Sequence, residues 1–118
     1  EVIRNIICGG AGTGKSFLIH TIVHLFRSNN LTCQCLAPTG VAASLLPHGE
    51  TIHKYFSLSR QSISRRVMPN DIIQQKITST DCFIFDEMSM ISKELFEYVH
   101  SVIRYTCGHD SIGFGAKI

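Results

Sequence analysis

No apolar run in the sequence approaches the ~20 consecutive residues that a membrane-spanning helix needs, and the first residues, EVIRNIICGG, lack a basic segment followed by a signal-peptide core. Neither a bilayer span nor a secretory leader is expected, and no membrane partner. A large charge of one sign is missing as well: eleven Lys and Arg stand against nine Asp and Glu, for a net charge of +2. With 44% hydrophobic residues, that balance argues against disorder. Internal repeats and low-complexity tracts are absent, so solenoid and fibrous architectures are not expected. There is no C-x-x-C among the five cysteines, Cys8, Cys33, Cys35, Cys82 and Cys107. Their odd number and apolar, strand-like surroundings fit small buried hydrophobes in a reducing, intracellular compartment.

What is present suffices for one core. A chain of 118 residues buries roughly two-thirds of its unfolded surface and leaves no room for a second full domain. It begins at Glu1 without Met and ends at Ile118 inside an apolar stretch containing glycine, SIGFGAKI, so a fragment of a longer protein is expected.

The pattern alternates strand and helix. Residues 2–8 (VIRNIIC) are β-branched and run into a glycine cluster. From 15 to 27, Leu18, Ile19, Ile22, Val23, Leu25 and Phe26 recur at helical spacing opposite His20, His24 and Arg27, and Asn29 and Asn30 end the run. Residues 32–37 (TCQCLA) alternate as a strand that Pro38-Thr39-Gly40 breaks, and 41–46 form a short helix stopped by Pro47 and Gly49. Thr51 is an N-cap for a second short helix carrying His53 and Phe56. The Ser- and Arg-rich span 57–70 reads as an exposed loop, followed by a helical turn or two over 71–77. Residues 81–85 (DCFIF) form a buried strand; Ser92 caps a helix with Leu95, Phe96, Val99, Val102 and Ile103 on one side, closed by Gly108. This order predicts an α/β fold, a parallel sheet flanked by helices.

Gly9-Gly10-Ala11-Gly12-Thr13-Gly14-Lys15-Ser16 satisfies G-x-x-x-x-G-K-[ST] in a strand-loop-helix context. Glycines let backbone N–H groups turn inward around phosphate oxygens, and the following helix presents its positive end to the same anion. Lys15 is placed to reach the β- and γ-phosphates of a nucleotide, and the Ser16 hydroxyl to ligate Mg²⁺. Downstream, Phe83-Ile84-Phe85-Asp86-Glu87 sets two carboxylates at a strand end. Alone, that pair reads as a solvated acidic turn. With the phosphate loop upstream, Asp86 becomes a metal ligand and Glu87 the base that polarises an attacking water, because ligands of open α/β sheets gather at the carboxyl ends of the strands. Lys15, Asp86 and Glu87 are thus the candidate catalytic residues for triphosphate hydrolysis.

Around these motifs, APTGVAA (37–43), GETIHKYF (49–56) and DEMSM (86–90) follow GGAGTGKS in order, and the chain resembles the Pif-type (petite integration frequency) DNA helicases and the related Helitron transposon helicases. The resemblance covers nearly the whole chain, with motifs I, Ia and II. It implies a P-loop NTPase fold with an incomplete RecA-like motor domain over residues 1–118, and an ATP-dependent helicase moving 5′ to 3′ on single-stranded DNA and acting on forked DNA, in DNA repair, recombination or telomere maintenance. In a eukaryote it implies the nucleus or the mitochondrion. Carried over by residue, Gly12 to Ser16 would hold the ATP phosphates and metal, Asp86 the metal, Glu87 the water, and Pro38, Thr39 and Gly40 the DNA backbone. That last segment suits the role chemically, since a turn with free N–H groups and a hydroxyl fits a phosphate; by itself it is an ordinary turn. An exposed Phe56 would stack a base and His53 would hydrogen-bond the strand; a core-packed Phe56 is equally compatible.

The family pattern continues with a G-D-x-x-Q motif, a second motor domain carrying an arginine finger, and an upstream glutamine segment for adenine, none of which is in this sequence. An arginine finger is worth ~10³–10⁵ in rate, so the fragment alone is expected to be close to inactive. Lys54, Arg60, Arg65 and Arg66 lie in a run without acidic residues, 51–70, compatible with a DNA-facing loop but favoured as a solvated one. His20 and His24 read as surface residues and Cys33 and Cys35 as packing. The competing expectations are a non-helicase P-loop ATPase, distinguished by absence of single-strand stimulation, and a nucleotide-binding remnant of a mobile element.

Overall fold

A computed structural model of the chain describes residues 8–10 and 12–107. Residues 2–7 of the strand expected at 2–8, the closing Gly108 and the stretch 111–118 fall outside the described residues, as does Ala11. In chain order come α1 (Lys15–Ser28), β1 (Cys33–Ala37), α2 (Gly40–Ser44), β2 (Glu50–Thr51), α3 (Ile52–Tyr55), α4 (Arg60–Ser64), α5 (Asp71–Ser79), β3 (Cys82–Phe85), a 3-10 turn (Met88–Met90) and α6 (Lys93–Cys107).

The three strands pair in parallel, in the order β2-β1-β3. Period-two alternation divides the strand side chains between two faces. Cys33, Cys35 and Ala37 of β1 with Cys82 of β3 meet Val23 of α1 and Ala43 and Leu46 at α2. Leu36 and Phe83 point the other way, into the larger core formed with α3, α5 and α6. Helices therefore cover both faces, the RecA-like arrangement expected.

Local chemistry sets the element ends. Asn29 and Asn30 close α1, with Asn30 left-handed at φ 58 and the Asn30 and Leu31 N–H groups returning to the Arg27 and Phe26 carbonyls at 3.0 and 2.9 Å. The Thr51 and Ser92 hydroxyls accept from the N–H of Lys54 and Leu95 at 3.1 and 3.2 Å, as N-caps should. Two expectations change. The span 57–70 is not a plain loop: Ser59 and Ser62 form a reciprocal capping box that starts α4, and Ile63 packs against the larger core. Of the apolar stripe of α1 only Val23 is buried, while Leu18 and Leu25 are exposed together with Phe17. No helix among the described residues is long and apolar enough to cross a membrane.

Candidate active site

Three segments meet at one edge of the sheet. The link between α1 and β1 is only residues 29–32, and Ile19, Val23 and Phe26 pack on the strands, so α1 runs back along β1 and its N-terminus lies at the carboxyl edge. Residues 38–40 leave β1 at that edge, and Asp86 and Glu87 leave β3 beside them. Leu36 is the register partner of Phe85, and the Asp86 N–H donates to the Leu36 carbonyl at 2.9 Å. Parallel pairing thus brings the phosphate loop, the 38–40 turn and the carboxylates together, as the motif order requires.

In the loop, Gly12 and Gly14 adopt φ 75 and φ 90, conformations a side chain would strain. The Thr13 hydroxyl donates to the Gly10 carbonyl at 2.6 Å, closing the loop on itself. Gly14 caps α1 with no side-chain hydrogen bond, so the first-turn N–H groups have no partner from a cap and face an incoming anion. Gly9, Gly10, Gly12, Thr13, Gly14, Lys15 and Ser16 are all exposed. The one ion pair among the described residues joins Lys93 to Glu97 at 3.8 Å, so no described carboxylate competes for the Lys15 ammonium.

Asp86 is half-buried at the strand end, and Glu87 is exposed. Glu87 holds a left-handed backbone, φ 55 and ψ 43, a conformation that costs a non-glycine residue about 1–3 kcal/mol and clusters at functional sites. It turns the chain out of β3 into the 3-10 turn, where the Met90 N–H donates to the Glu87 carbonyl at 3.0 Å. This backbone feature has no sequence signature. Ser16 and Asp86 supply hard oxygens suited to Mg²⁺, and no group of three or more His, Cys, Asp or Glu among the described residues makes a metal cage. That donor set fits Mg²⁺, which is held by one or two protein oxygens together with water and substrate phosphates.

On the adjoining turn, Pro38 and Thr39 are half-buried and Gly40 is exposed. Thr39 Oγ1 accepts from the Ala42 N–H at 3.2 Å and so caps α2. Its own proton is left to donate, which suits a phosphate oxygen. The single-turn α3 divides the T-I-H block: Ile52, Tyr55 and Phe56 point into the core, while His53 and Lys54 face solvent. Phe56 is therefore corrected from base-stacking platform to core residue. It is 3% exposed, its ring 4.8 Å edge-on from Tyr55 and 6.3 Å from Phe83, where no base can reach it.

Away from this edge, His20 and His24 are exposed, as expected. Cys33 and Cys35 pack with Cys82, the register partner of Cys33 on β3. Hydrogen bonding to Cys33, then burial, pushes the Cys35 and Cys82 thiols above their ordinary range, so both stay protonated and unreactive.

A sequence profile described as PIF1-like helicase matches residues 4–118. The ATP-dependent DNA helicase PIF1 of Trypanosoma brucei brucei is 32% identical over 110 residues, covering 92% of this chain and 11% of its own length. That of Xenopus laevis is 33% identical over 114 residues, 91% of this chain and 17% of its own. The structure of unliganded Pif1 from Bacteroides sp superposes with a TM-score of 0.73 at 24% identity, over 92% of this chain and 24% of that one. Bacteroides Pif1 bound to ssDNA gives 0.70 at 22%, over 92% and 25%, a likeness of fold. The motifs at the sheet edge, the fold they sit on and a profile match spanning residues 4–118 agree: the chain belongs to the PIF1-like helicase family.

Proposed function

We propose that the protein carrying this chain is an ATP-dependent DNA helicase and that these residues form the nucleotide-holding part of its first motor domain. The observation that carries the proposal is the convergence, at one edge of a parallel sheet, of an intact phosphate loop, the Asp86-Glu87 pair and a turn suited to phosphate. Each residue then has a task. The loop N–H groups and Lys15 hold the ATP phosphates. Ser16 and Asp86 would hold Mg²⁺, which would supply charge neutralisation at the β- and γ-phosphates. Glu87, exposed at the turn out of β3, orients and deprotonates the attacking water. Pro38, Thr39, Gly40 and His53 face a single DNA strand.

Support for the DNA substrate comes from structures of relatives, one of Bacteroides Pif1 bound to ssDNA and one concerning unwinding at forked dsDNA by two coordinating Pif1 helicases. For nucleotide it comes from a Bacteroides sp Pif1 complex with ADP-AlF4. Movement from 5′ to 3′, a part in repair, recombination or telomere maintenance, a nuclear or mitochondrial location in a eukaryote, and near-inactivity of the isolated chain belong to the same proposal.

The test is unwinding of forked duplexes by the full-length protein. Activity on a duplex with a 5′ single-stranded tail, its absence with only a 3′ tail, and its loss in Lys15→Ala are expected. Unwinding by Lys15→Ala at the parent rate would remove the phosphate-loop assignment.

A further inference from the structure

Helix α3 has four residues, Ile52–Tyr55, far below the ~12–15 at which a helix becomes even marginally stable alone. Its position must be imposed from outside. The Thr51 hydroxyl holds its N-terminus by accepting from the Lys54 N–H at 3.1 Å. At the other end its last carbonyl, Tyr55 O, accepts from Lys76 Nζ at 3.1 Å. The same ammonium lies 4.1 Å from the centroid of the Tyr55 ring, within cation–π range.

The contact closes on itself. The Tyr55 hydroxyl is hydrogen-bonded to Thr80 Oγ1 at 3.0 Å, and Thr80 Oγ1 donates to the Lys76 carbonyl at 2.8 Å. With the Thr80 proton spent on that carbonyl, Tyr55 is the donor to Thr80. Burial raises the Tyr55 phenol above its ordinary range, which keeps that proton in place. One half-buried lysine of α5 thus grips both the backbone end and the side chain of α3, while His53 and Lys54 on the opposite side of the turn stay open to solvent.

We infer that Lys76 is a positioning residue for the DNA-facing surface: it locks α3 against α5 so that His53 is presented to a single strand without ordering the turn at the moment of binding. The inference rests on the assignment of His53 to that surface. Lys76 itself touches no nucleic acid, so its contribution enters through conformational order rather than charge.

The test measures binding of an oligo-dT strand to the full-length protein by fluorescence anisotropy across a salt series, alongside affinity for a fluorescent ATP analogue. Lys76→Met keeps the stem and removes the ammonium. Expected are oligo-dT binding weakened about five- to twentyfold, as loss of a hydrogen bond and a cation–π contact implies, an unchanged nucleotide affinity, and an unchanged slope of log K against log salt. Lys76→Arg, which still donates and still covers the ring, should restore binding.

Three results overturn the inference: parent-like DNA affinity in Lys76→Met; a slope reduced by ~0.7, the mark of a lost phosphate contact on a single strand; or an equal fall in nucleotide affinity, the mark of general unfolding. Should Lys76→Met not fold, Lys76→Gln, which keeps an N–H donor for the Tyr55 carbonyl and loses only the cation over the ring, must show the same pattern at smaller amplitude. His53→Ala separates the two levels. If it leaves oligo-dT binding intact, the DNA-face assignment fails and the inference with it; if it weakens binding while Lys76→Met does not, only the inference fails.

Discussion

Replacing Gly49 with alanine would drive a methyl carbon into the Ala43 carbonyl oxygen and to 2.8 Å from Leu46 Cβ. Both obstacles belong to the chain just after β1, and the closer is backbone, which cannot rotate aside as a side-chain tip would. The need for glycine here is spatial, since the Gly49 N–H donates to the Leu46 carbonyl at 3.1 Å and draws the two segments together. Relief requires shifting β2, whose two residues pair with Leu36 and Ala37. Overpacking of this kind costs typically ~1–3 kcal/mol, offset by the ~0.4–1 kcal/mol gained when a glycine's unfolded freedom is removed. A net loss of about 1–2 kcal/mol follows, read as a lower urea midpoint at unchanged m-value. Gly40 supplies the internal control. It opens α2 with nothing within 4 Å of an added Cβ, so Gly40→Ala should be neutral or gain up to ~1 kcal/mol from helix propensity. A Gly49→Ala protein at or above the parent midpoint would refute the steric argument.

Thiol labelling in native buffer should modify exposed Cys8 quickly and reach Cys33, Cys35 and Cys82, each no more than 5% exposed, only after denaturation; native labelling of those three at the Cys8 rate would contradict their packing. The raised Tyr55 phenol makes an alkaline prediction with a definite sign: its stabilisation is complete below the ordinary tyrosine value of ~10 and is lost as pH climbs through the higher folded value. Tyr55→Phe should flatten that limb of the stability profile, and an identical profile would show that another group governs it.

Features written in local chemistry were legible before any coordinates. The phosphate loop, the Asn29-Asn30 stop and the Thr51 and Ser92 caps each depend on backbone groups a few residues away, so spacing is enough to find them. Features decided by distant partners were not. Whether Phe56 faces base or core depends on Phe83 and Tyr55, which the T-I-H block does not encode. The hydrophobic period of α1 named the apolar side correctly, yet only Val23 is buried, because periodicity says nothing about what packs against a face. Helix α4 escaped notice for the opposite reason: its Ser59/Ser62 capping box sits in a stretch with too few apolar residues to register as periodic. Lys76 gave no signal, being one lysine on a polar helix whose two partners lie on α3, 21 residues away.

The central claim is that one sheet edge separates nucleotide holding, by the loop and Lys15, from bond cleavage, by Glu87. Glu87→Gln in the full-length protein tests it most directly, with nucleotide affinity measured at equilibrium and hydrolysis followed in a single turnover. The account predicts ATP-analogue binding close to the parent value and a collapse of the hydrolysis rate. Equal loss of binding and hydrolysis, or hydrolysis at the parent rate, would contradict it.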